Sequence, residues 1–222
     1  MTLKVYIDFM SQPSRAVVAL LYHNNVPFEL HETRIAAGDH RKPEFLKINP
    51  AGQVPAIVDD DVVIAESHAI LRYICNSKNV AEHWYPQDSK IRAKCDYYLD
   101  FHHSFTRRAA RLFRAGFREL FPKDKFTDED IQAEQKALKR TLTFIENIFL
   151  KENKFLILPD KPTIADISAV CELIQLYTIK FDFTQYPKID AWMKRVLELE
   201  GMQKAHKVFY KVGEKLKERA KL

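Results

Sequence analysis

The chain is poor in the residues that mark fibrous, disulfide-rich and zinc-binding proteins. Its 222 residues include only 5 glycines and 3 cysteines. So few glycines exclude a collagen-like repeat. Cys75, Cys95 and Cys171 are odd in number, far apart and free of CxxC or Cys/His spacing, which argues against a disulfide framework or a zinc site. Thiols of this kind are typical of a reducing compartment, so we expect a cytoplasmic protein.

The sequence also lacks membrane-directed segments and common catalytic motifs. No apolar run approaches the ~20 residues that cross a bilayer. The first 15 residues do not join a basic stretch to an apolar one, as a secretory signal would. The motifs GxSxG, HExxH, GxxxxGKS/T and GxGxxG are missing. We therefore expect no membrane association and none of the enzyme classes that depend on those motifs.

The surplus positive charge lies at one end of the chain. The net charge is +5, and residues 203–222 hold seven basic and two acidic side chains, which accounts for all of it. Nucleic-acid-binding domains usually carry their basic residues as a stripe on a folded face. A basic terminal stretch is more typical of a solvated tail, so the distribution argues against a nucleic-acid partner.

The first 78 residues alternate short strand-like runs with helical segments. Runs of β-branched and aromatic residues predict strands, and apolar residues three and four positions apart predict helices. The order is β-α-β-α-β-β-α, which indicates an α/β domain with a mixed sheet and helices on its faces. The predicted strands cover 3–9, 28–33, 54–58 and 62–64, and the predicted helices cover 14–25, 43–48 and 69–74.

The remainder of the chain is predicted to be helical after a polar, proline-containing linker at 79–88. Steps of three or four residues predict one long helix with a single buried face. That face comprises Ile91, Cys95, Tyr98, His102, Phe105, Ala109 and Leu112. A second such face comprises Ile131, Gln135, Leu138, Leu142, Ile145 and Phe149. The fold class is therefore α/β plus all-α.

Three short segments of the first domain stand where ligands commonly bind in α/β folds. Ser11 follows the carboxyl end of the first strand. Glu66 and Ser67 precede a helix whose N-terminus offers free N–H groups. Val54–Pro55 places a proline at a strand entrance, where the cis isomer is a candidate. Structural alternatives remain open: either serine can be an N-cap, and Pro55 can be a trans residue at the start of an edge strand.

Two patterns in the helical half are interpreted as structural. Thr163 and Asp166 have the spacing of a capping box, with Asp in place of Glu. His102 and His103 are adjacent, and neighbouring positions of a helix do not face the same ligand. We therefore expect no metal site there.

Four segments occur in a distinctive order and spacing. They read SQPSR at 11–15, NPAGQVPAI at 49–57, IAES at 64–67 and TIAD at 163–166. Together with the His40–Arg41 pair and WYPQD at 84–88, they resemble the cytosolic glutathione transferases, and in detail the theta class. The resemblance covers essentially the whole chain. It implies a thioredoxin-like glutathione-binding domain at 1–78, a linker at 79–88 and an all-helical domain at 89–222 with an electrophile site and the basic tail.

The resemblance also implies roles for particular residues. Theta enzymes use a serine at the first strand-to-helix turn, and Ser11 occupies that place, whereas Tyr6 lies inside the strand. Arg107 matches a position that lines the electrophile site, and the neighbouring arginines are expected on a solvated or interface face. The residues implied in glutathione binding are His40, Arg41, Gln53, Val54, Pro55, Glu66 and Ser67.

The implied activity uses glutathione as a co-substrate and no metal. A homodimer would conjugate glutathione to small hydrophobic electrophiles or reduce organic hydroperoxides. Gln53 replaces a lysine of many theta enzymes, and Ser104 replaces an acidic residue that reaches across the dimer in some relatives. Alternatives are a non-catalytic interaction module of the translation-factor type and a ligand carrier. The segment from Gly213 can form a helix over the electrophile site or be frayed.

Overall fold

The computed structural model of the protein describes residues 2–121 and 124–220. The last two residues of the basic tail therefore lie outside the described part of the chain. The described residues form a small sheet domain followed by a larger helical one. This arrangement confirms the fold class predicted from the sequence.

The first domain has the predicted order of strands and helices. A four-stranded sheet has the order β2-β1-β3-β4, in which β1 is parallel to β2 and antiparallel to β3. Strand β4 pairs antiparallel with β3 and ends the sheet. The elements are β1 (Leu3–Ile7), α1 (Gln12–His23), β2 (Phe28–Glu32), a 3-10 turn (Asp39–Arg41), α2 (Pro43–Leu46), β3 (Ala56–Asp59), β4 (Val62–Ala65) and α3 (Ser67–Ser77).

The second domain contains helices interrupted by 3-10 and π-helical turns. The 3-10 turn Glu82–Trp84 precedes it, and Trp84 is buried in the core with its ring centroid 5.2 Å from that of His23 in α1. The elements are α4 (Ser89–Phe101), a π turn (His102–Thr106), α5 (Arg108–Gly116), α6 (Asp128–Phe144), a π turn (Ile145–Phe149), α7 (Ile164–Leu173), a 3-10 turn (Ile174–Ile179), α8 (Pro187–Leu197) and α9 (Glu200–Lys217).

The predicted long helix is divided by the first π turn, and the prediction that Phe105 belongs to its buried face is wrong. The N–H of Arg107 donates to the carbonyl of His102 at 2.9 Å, five residues back instead of four. The extra residue shifts the inward position from Phe105 to Thr106, which is fully buried while Phe105 is exposed. In α6 the buried polar position is likewise Glu134 and not the predicted Gln135.

The core of the molecule joins the two domains into one packed unit. Helix α1 carries a continuous buried run, because it packs against α3, α7 and α9 at the same time. Gly201 in α9 allows the closest approach: a Cβ there would lie 2.1 Å from the carbonyl oxygen of Ala19. The start of the basic tail is thus a helix docked on α1, and only its outer face is solvated.

The capping box at Thr163 and Asp166 is confirmed and fully buried. The Asp166 carboxylate accepts hydrogen bonds from the N–H groups of Thr163 at 2.7 Å and Leu156 at 2.8 Å. It also accepts one from the indole Nε1 of Trp192 on α8 at 2.9 Å. One carboxylate therefore fixes the start of α7, the preceding loop and α8. The three cysteines are free, as predicted.

Candidate functional site

The register of the sheet brings three of the predicted segments to one end. Tyr6 of β1 pairs with Ala56 of β3, and Ala56 pairs with Ala65 of β4. Because β3 is antiparallel to both neighbours, its first residue lies beside the last residues of β1 and β4. The turn after β1, the approach to β3 and the residues after β4 therefore meet at one edge, which is the carboxyl end of β1.

Ser11 is the N-cap residue of α1, but its hydroxyl does not serve as a cap. Its backbone is extended, with φ −79° and ψ 122°, and the side chain accepts no hydrogen bond from the helix. The residue is 7% exposed. Its N–H donates to the carbonyl of Asp8 at 2.9 Å, which closes the turn. The hydroxyl thus stands at the positive end of a twelve-residue helix without being used to start it.

The turn that carries Ser11 is held by two buried charged side chains. The Asp8 carboxylate accepts from the N–H of Met10 and from the N–H of Ile35, both at 2.8 Å. Arg15 donates from Nη1 to the carbonyls of Phe9 and Met10, both at 3.0 Å. The backbone just before Ser11 is therefore restrained from both sides.

Val54 and Pro55 are buried and joined by a cis peptide bond. Strand pairing of β3 begins only at Ala56, so the backbone of Val54 lies outside the ladder. The preceding Gln53 is exposed, and its carbonyl accepts from the amide of Asn49 at 2.7 Å. The alternative of a trans proline at this position is wrong.

Glu66 and Ser67 form the entrance to α3 in a strained backbone. Glu66 has φ 66° and ψ 113°, a conformation that costs a non-glycine residue free energy and that clusters at ligand sites. Glu66 is the N-cap residue and Ser67 is the first residue of the helix, so the alternative of Ser67 as the cap is wrong. The glutamate side chain makes no capping bond and is exposed, which leaves the first N–H groups of α3 facing the same edge.

His40 and Arg41 lie in the 3-10 turn beside this edge. Gly52, with φ +61°, packs so closely on the turn that an added Cβ would lie 3.2 Å from the carbonyl oxygen of His40. Arg41 is exposed and His40 is half-buried. The loop that carries them is anchored at Asp39, whose pKa is lowered to about 2 by hydrogen bonds from Lys42 and Arg34.

Arg107 belongs to the helical domain, where it directly precedes α5, and it is bound to a buried carboxylate. Its Nη1 donates to Oε2 of Glu172 on α7 at 2.8 Å, and its side chain is 44% exposed. The next four arginines are paired with acidic residues of α6 and of the preceding loop. These pairs are Arg108 and Arg111 with Glu134, Arg114 with Asp124, and Arg118 with Asp128.

Sequence reasoning missed the residues that join Ser11's helix to Arg107. Gln12, at the start of α1, donates from Nε2 to Gln175 at 2.8 Å and lies 3.4 Å from Oε1 of Glu172. The only signal in the sequence was a glutamate inside the apolar run after Asp166. His68 and His102 were also missed as a buried pair, with ring centroids 5.0 Å apart at the domain boundary.

The described residues contain neither a cluster of metal-ligating side chains nor a membrane-spanning helix. In residues 2–121 and 124–220, no cluster of three or more His, Cys, Asp or Glu side chains has the geometry to hold a metal ion. Across the same residues, no helix is both long and apolar enough to cross a membrane.

Comparison with known proteins agrees with this fold. The glutathione S-transferase N-terminal domain model matches residues 1–76, and the corresponding C-terminal domain model matches residues 109–200. Glutathione S-transferase T1 of Arabidopsis thaliana is 37% identical, covering 100% of this chain and 95% of the relative. Glutathione S-transferase theta-1 of Mus musculus is 34% identical, covering 96% and 90%.

A solved structure is similar over the same extent. The crystal structure of human glutathione transferase theta-2 in complex with glutathione and an unknown ligand has a TM-score of 0.88 at 31% identity. It covers 97% of this chain and 90% of that one. A helical bundle packed on a thioredoxin-like sheet is the architecture of the glutathione transferases. The chain belongs to the glutathione S-transferase family, in which its relatives are theta-class enzymes.

Proposed function

We propose that the hydroxyl of Ser11 stabilises the thiolate of glutathione for attack on small hydrophobic electrophiles. The observation that carries this proposal is the state of Ser11: its hydroxyl is nearly buried, caps no helix N–H and lies at the N-terminus of α1. A free thiol has a pKa of ~8.5, and a hydrogen-bond donor with a positive helix end behind it favours the charged form. Ser11 would then act as a donor and not as a nucleophile.

The remaining groups at the edge suit the rest of the tripeptide. The backbone of Val54, outside the strand ladder and held by cis Pro55, would pair with the cysteinyl residue. The exposed carboxylate of Glu66 suits the γ-glutamyl ammonium group. Ser67 and the free N–H groups of α3 suit the γ-glutamyl carboxylate.

The other end of glutathione would be held by the loop beside Gly52. Arg41 is exposed in that loop and suits the carboxylate of the glycyl residue of glutathione, to which the imidazole of His40 can add a hydrogen bond. Gln53 is exposed next to Val54 and offers an amide where a lysine would offer a full charge. We therefore expect a weaker polar contact there, with binding retained.

The proposed conjugation needs no further reactant. The glutathione thiol loses its proton to solvent, and the sulfur lone pair forms a bond to the electrophilic carbon. With a halide, the carbon–halogen pair of electrons leaves with the halide ion. With an epoxide, the carbon–oxygen pair stays on the oxygen, which then takes up a proton. Arg107 is proposed to line the electrophile site from the helical side.

Reduction of an organic hydroperoxide is proposed as a second use of the same thiolate. The sulfur attacks the terminal peroxide oxygen, the O–O bond breaks and the alkoxide takes up a proton to give the alcohol. A second glutathione then displaces water from the sulfenic acid and forms the oxidised disulfide. The step requires two molecules of glutathione and no group beyond Ser11.

A homodimer is proposed on the basis of an aromatic face on the helical domain. Tyr97, Phe105, Phe144 and Ile148 are exposed together on α4, α6 and the two π turns. Phe101 joins them, since its ring stacks on Phe105 with centroids 4.5 Å apart and on Phe144 at 5.4 Å. Large exposed apolar patches mark interaction surfaces, and two-fold dimers are the commonest oligomers.

We also propose a cytoplasmic location, because the three free thiols are typical of a reducing compartment.

The dimer can be tested by light scattering after gel filtration. We expect the wild type to elute at twice the mass of one chain and Ile148→Asp to elute as a monomer. Val208→Asp is the matched control, because Val208 is also an exposed apolar residue but lies on α9. A monomeric wild type, or equal effects of both substitutions, contradicts the proposal.

The glutathione site is tested by calorimetry with three variants. Wild type should bind glutathione, Glu66→Ala should abolish binding, and Ser11→Ala should largely retain it while kcat falls strongly. Ser14→Ala is the matched control, since Ser14 is a buried serine of the same helix whose hydroxyl has no partner among the described residues.

The pKa of the bound thiol distinguishes the binding of glutathione from the activation of its thiol. The ultraviolet absorbance of the thiolate, followed against pH, should report a pKa that rises toward ~8.5 in Ser11→Ala and stays unchanged in Ser14→Ala. Full turnover by Ser11→Ala would rule out the serine mechanism. Absence of binding at millimolar glutathione would favour the interaction-module or ligand-carrier function.

A further inference from the structure

Glu172 is a buried carboxylate placed inside an otherwise apolar stretch of α7. The residue is 1% exposed. Oε1 accepts from the amide of Gln175 at 2.7 Å and lies 3.4 Å from the amide of Gln12. Oε2 accepts from Arg107 at 2.8 Å and lies 3.6 Å from Nε2 of His102. The two oxygens thus contact side chains from different parts of the chain.

The neighbours of Glu172 favour the charged form of its carboxylate in spite of its burial. Burial by itself raises the pKa of Glu172, but the neighbouring imidazole of His102 and the charge of Arg107 outweigh it, so the pKa lies below its ordinary value. A buried carboxylate is retained only when its partners satisfy it. Here the partners come from α1, from the π turn before α5 and from the 3-10 turn after α7.

Two of these partners are connected with the proposed reaction. Gln12 follows Ser11 directly in the first turn of α1, and Arg107 is the proposed wall of the electrophile site. The two residues belong to different domains, and the path between them runs through the two oxygens of one side chain. Moving that side chain would change the position of Arg107 relative to the turn of Ser11.

We propose that Glu172 is a positioning residue for the transferase reaction, which holds Arg107 and Gln12 at a fixed separation across the domain interface. The inference rests on the proposed roles of Ser11 and Arg107. Glu172 itself touches no part of the proposed glutathione site at Val54, Glu66 or Ser67. It should therefore affect turnover and leave glutathione binding in place.

A structural role alone does not require this arrangement. Arg107 is 44% exposed and can be hydrated without a partner. A glutamine at 172 would fill the same volume and, being neutral, would leave no unpaired buried charge. An amide nitrogen facing Arg107 would break that contact, because Arg107 has no acceptor. An amide nitrogen facing Gln12 and Gln175 would require their amides to turn over and would leave Arg107 with a neutral acceptor in place of a carboxylate.

The first test is steady-state kinetics of the full chain with 4-nitrobenzyl chloride and glutathione. Glu172→Gln should lower kcat by about 10-fold to 100-fold, the effect of a small displacement of a positioned group. The KM for glutathione should stay within about twofold of wild type. Unchanged kcat, or a loss that appears only in the KM for glutathione, overturns the inference.

Glu134→Gln is the matched control. Glu134 is also a nearly buried glutamate that pairs with arginines of α5, but it has no link to Gln12. We expect wild-type kcat from this variant. Equal losses in both variants would mean that any broken ion pair slows the enzyme, and the specific role of Glu172 would be wrong.

A double variant tests whether Glu172 acts through Arg107. If it does, Glu172→Gln should lower kcat no further in an Arg107→Ala background, whereas independent effects would multiply. Should Glu172→Gln not fold, Gln12→Leu removes the link from the other side and should lower kcat about tenfold; wild-type kcat in that variant overturns the inference. An inactive wild type would instead contradict the proposed function itself.

Discussion

The guanidinium of Arg15 lies over the ring of Phe209, with its central carbon 4.2 Å from the ring centroid. Arg15 is fully buried in α1, and Phe209 belongs to α9. The same guanidinium donates to the carbonyls of Phe9 and Met10 and, from Nη2, to the carbonyl of Cys171 at 3.1 Å. The C-terminal helix is thereby linked to the turn of Ser11 through a single side chain.

Arg15→Lys should lower kcat by about tenfold or more with the fold retained. A lysine has one nitrogen in place of the planar fork and cannot reach three carbonyls and stack on a ring at once. The turn before Ser11 would then be less restrained. Kinetics and circular dichroism of the variant check this expectation. Arg195→Lys is the matched control, because Arg195 also lies over a phenylalanine ring, that of Phe155 at 5.6 Å, but is far from Ser11 in the chain. This variant should retain wild-type kcat.

Gly201→Ala should destabilise the protein severely. The added Cβ would lie 2.1 Å from the carbonyl of Ala19 and 2.8 Å from the backbone of His23, so α9 must move away from α1. We expect a loss of about 3 kcal/mol or more in the free energy of unfolding, measured with urea. Gly213→Ala in the same helix meets only a methyl group of Thr178 at 3.3 Å and should stay within about 1 kcal/mol of wild type.

Asp166→Ala should cost far more stability than Asp130→Ala. Both residues complete a capping box with a threonine three positions earlier. Asp130 is exposed, so its loss should cost about 1 kcal/mol. Asp166 is fully buried and also holds Leu156 and Trp192, so its loss should leave several donors unsatisfied and cost about 3–5 kcal/mol. Equal midpoints of urea unfolding in the two variants would contradict this expectation.

Stability should fall at acid pH because two histidines are buried in the neutral form. Burial and the charge of His102 lower the pKa of His68 to about 2, with His103, Arg72 and Arg107 contributing. Burial and the charge of Arg15 lower that of His206 to about 3. The unfolded chain takes up these protons below ~6.5 and the folded one does not, so stability is full above that pH and declines below it.

The size of this decline can be measured by urea unfolding at pH 7.5 and pH 5. Each histidine should contribute a loss of about 2 kcal/mol between pH 6.5 and pH 5. His68→Gln and His206→Gln should each remove about that share of the difference between the two pH values. An unchanged difference in both variants would show that the histidines are not the cause.

The local parts of the site could be predicted from the sequence, and the long-range parts could not. Ser11, Glu66 and Ser67 follow strands whose apolar runs are visible in the chain, so their placement at element ends was predictable. Their meeting at one edge depends on the register of the sheet. The contact of Gln12 with Glu172 joins residues 160 positions apart, and no spacing rule points from one to the other.

The helical half shows a second limit of sequence reasoning. Apolar steps of three and four predicted Phe105 as buried, because that pattern assumes bonds to the fourth residue back. The π turn uses the fifth, and nothing in the apolar spacing marks where the change occurs. The capping box at Thr163 and Asp166 was predictable for the opposite reason, since both of its reciprocal bonds lie within four residues.

The π turn at 102–106 accommodates one residue more than an α-helix would at that place. An α-helix advances about 100° per residue. A one-residue deletion within 102–106 that restored the ordinary pitch would therefore keep α5 in its present orientation, whereas a substitution that turned these residues into ordinary α-helix at constant chain length would rotate every later side chain of α5 by that angle. Arg107 would leave Glu172, and the arginines that now meet α6 would turn with it. Substitutions that convert this turn to ordinary α-helix, more than single-residue deletions, are therefore the changes that would place a different side chain opposite Glu172 while the turn of Ser11 stayed the same.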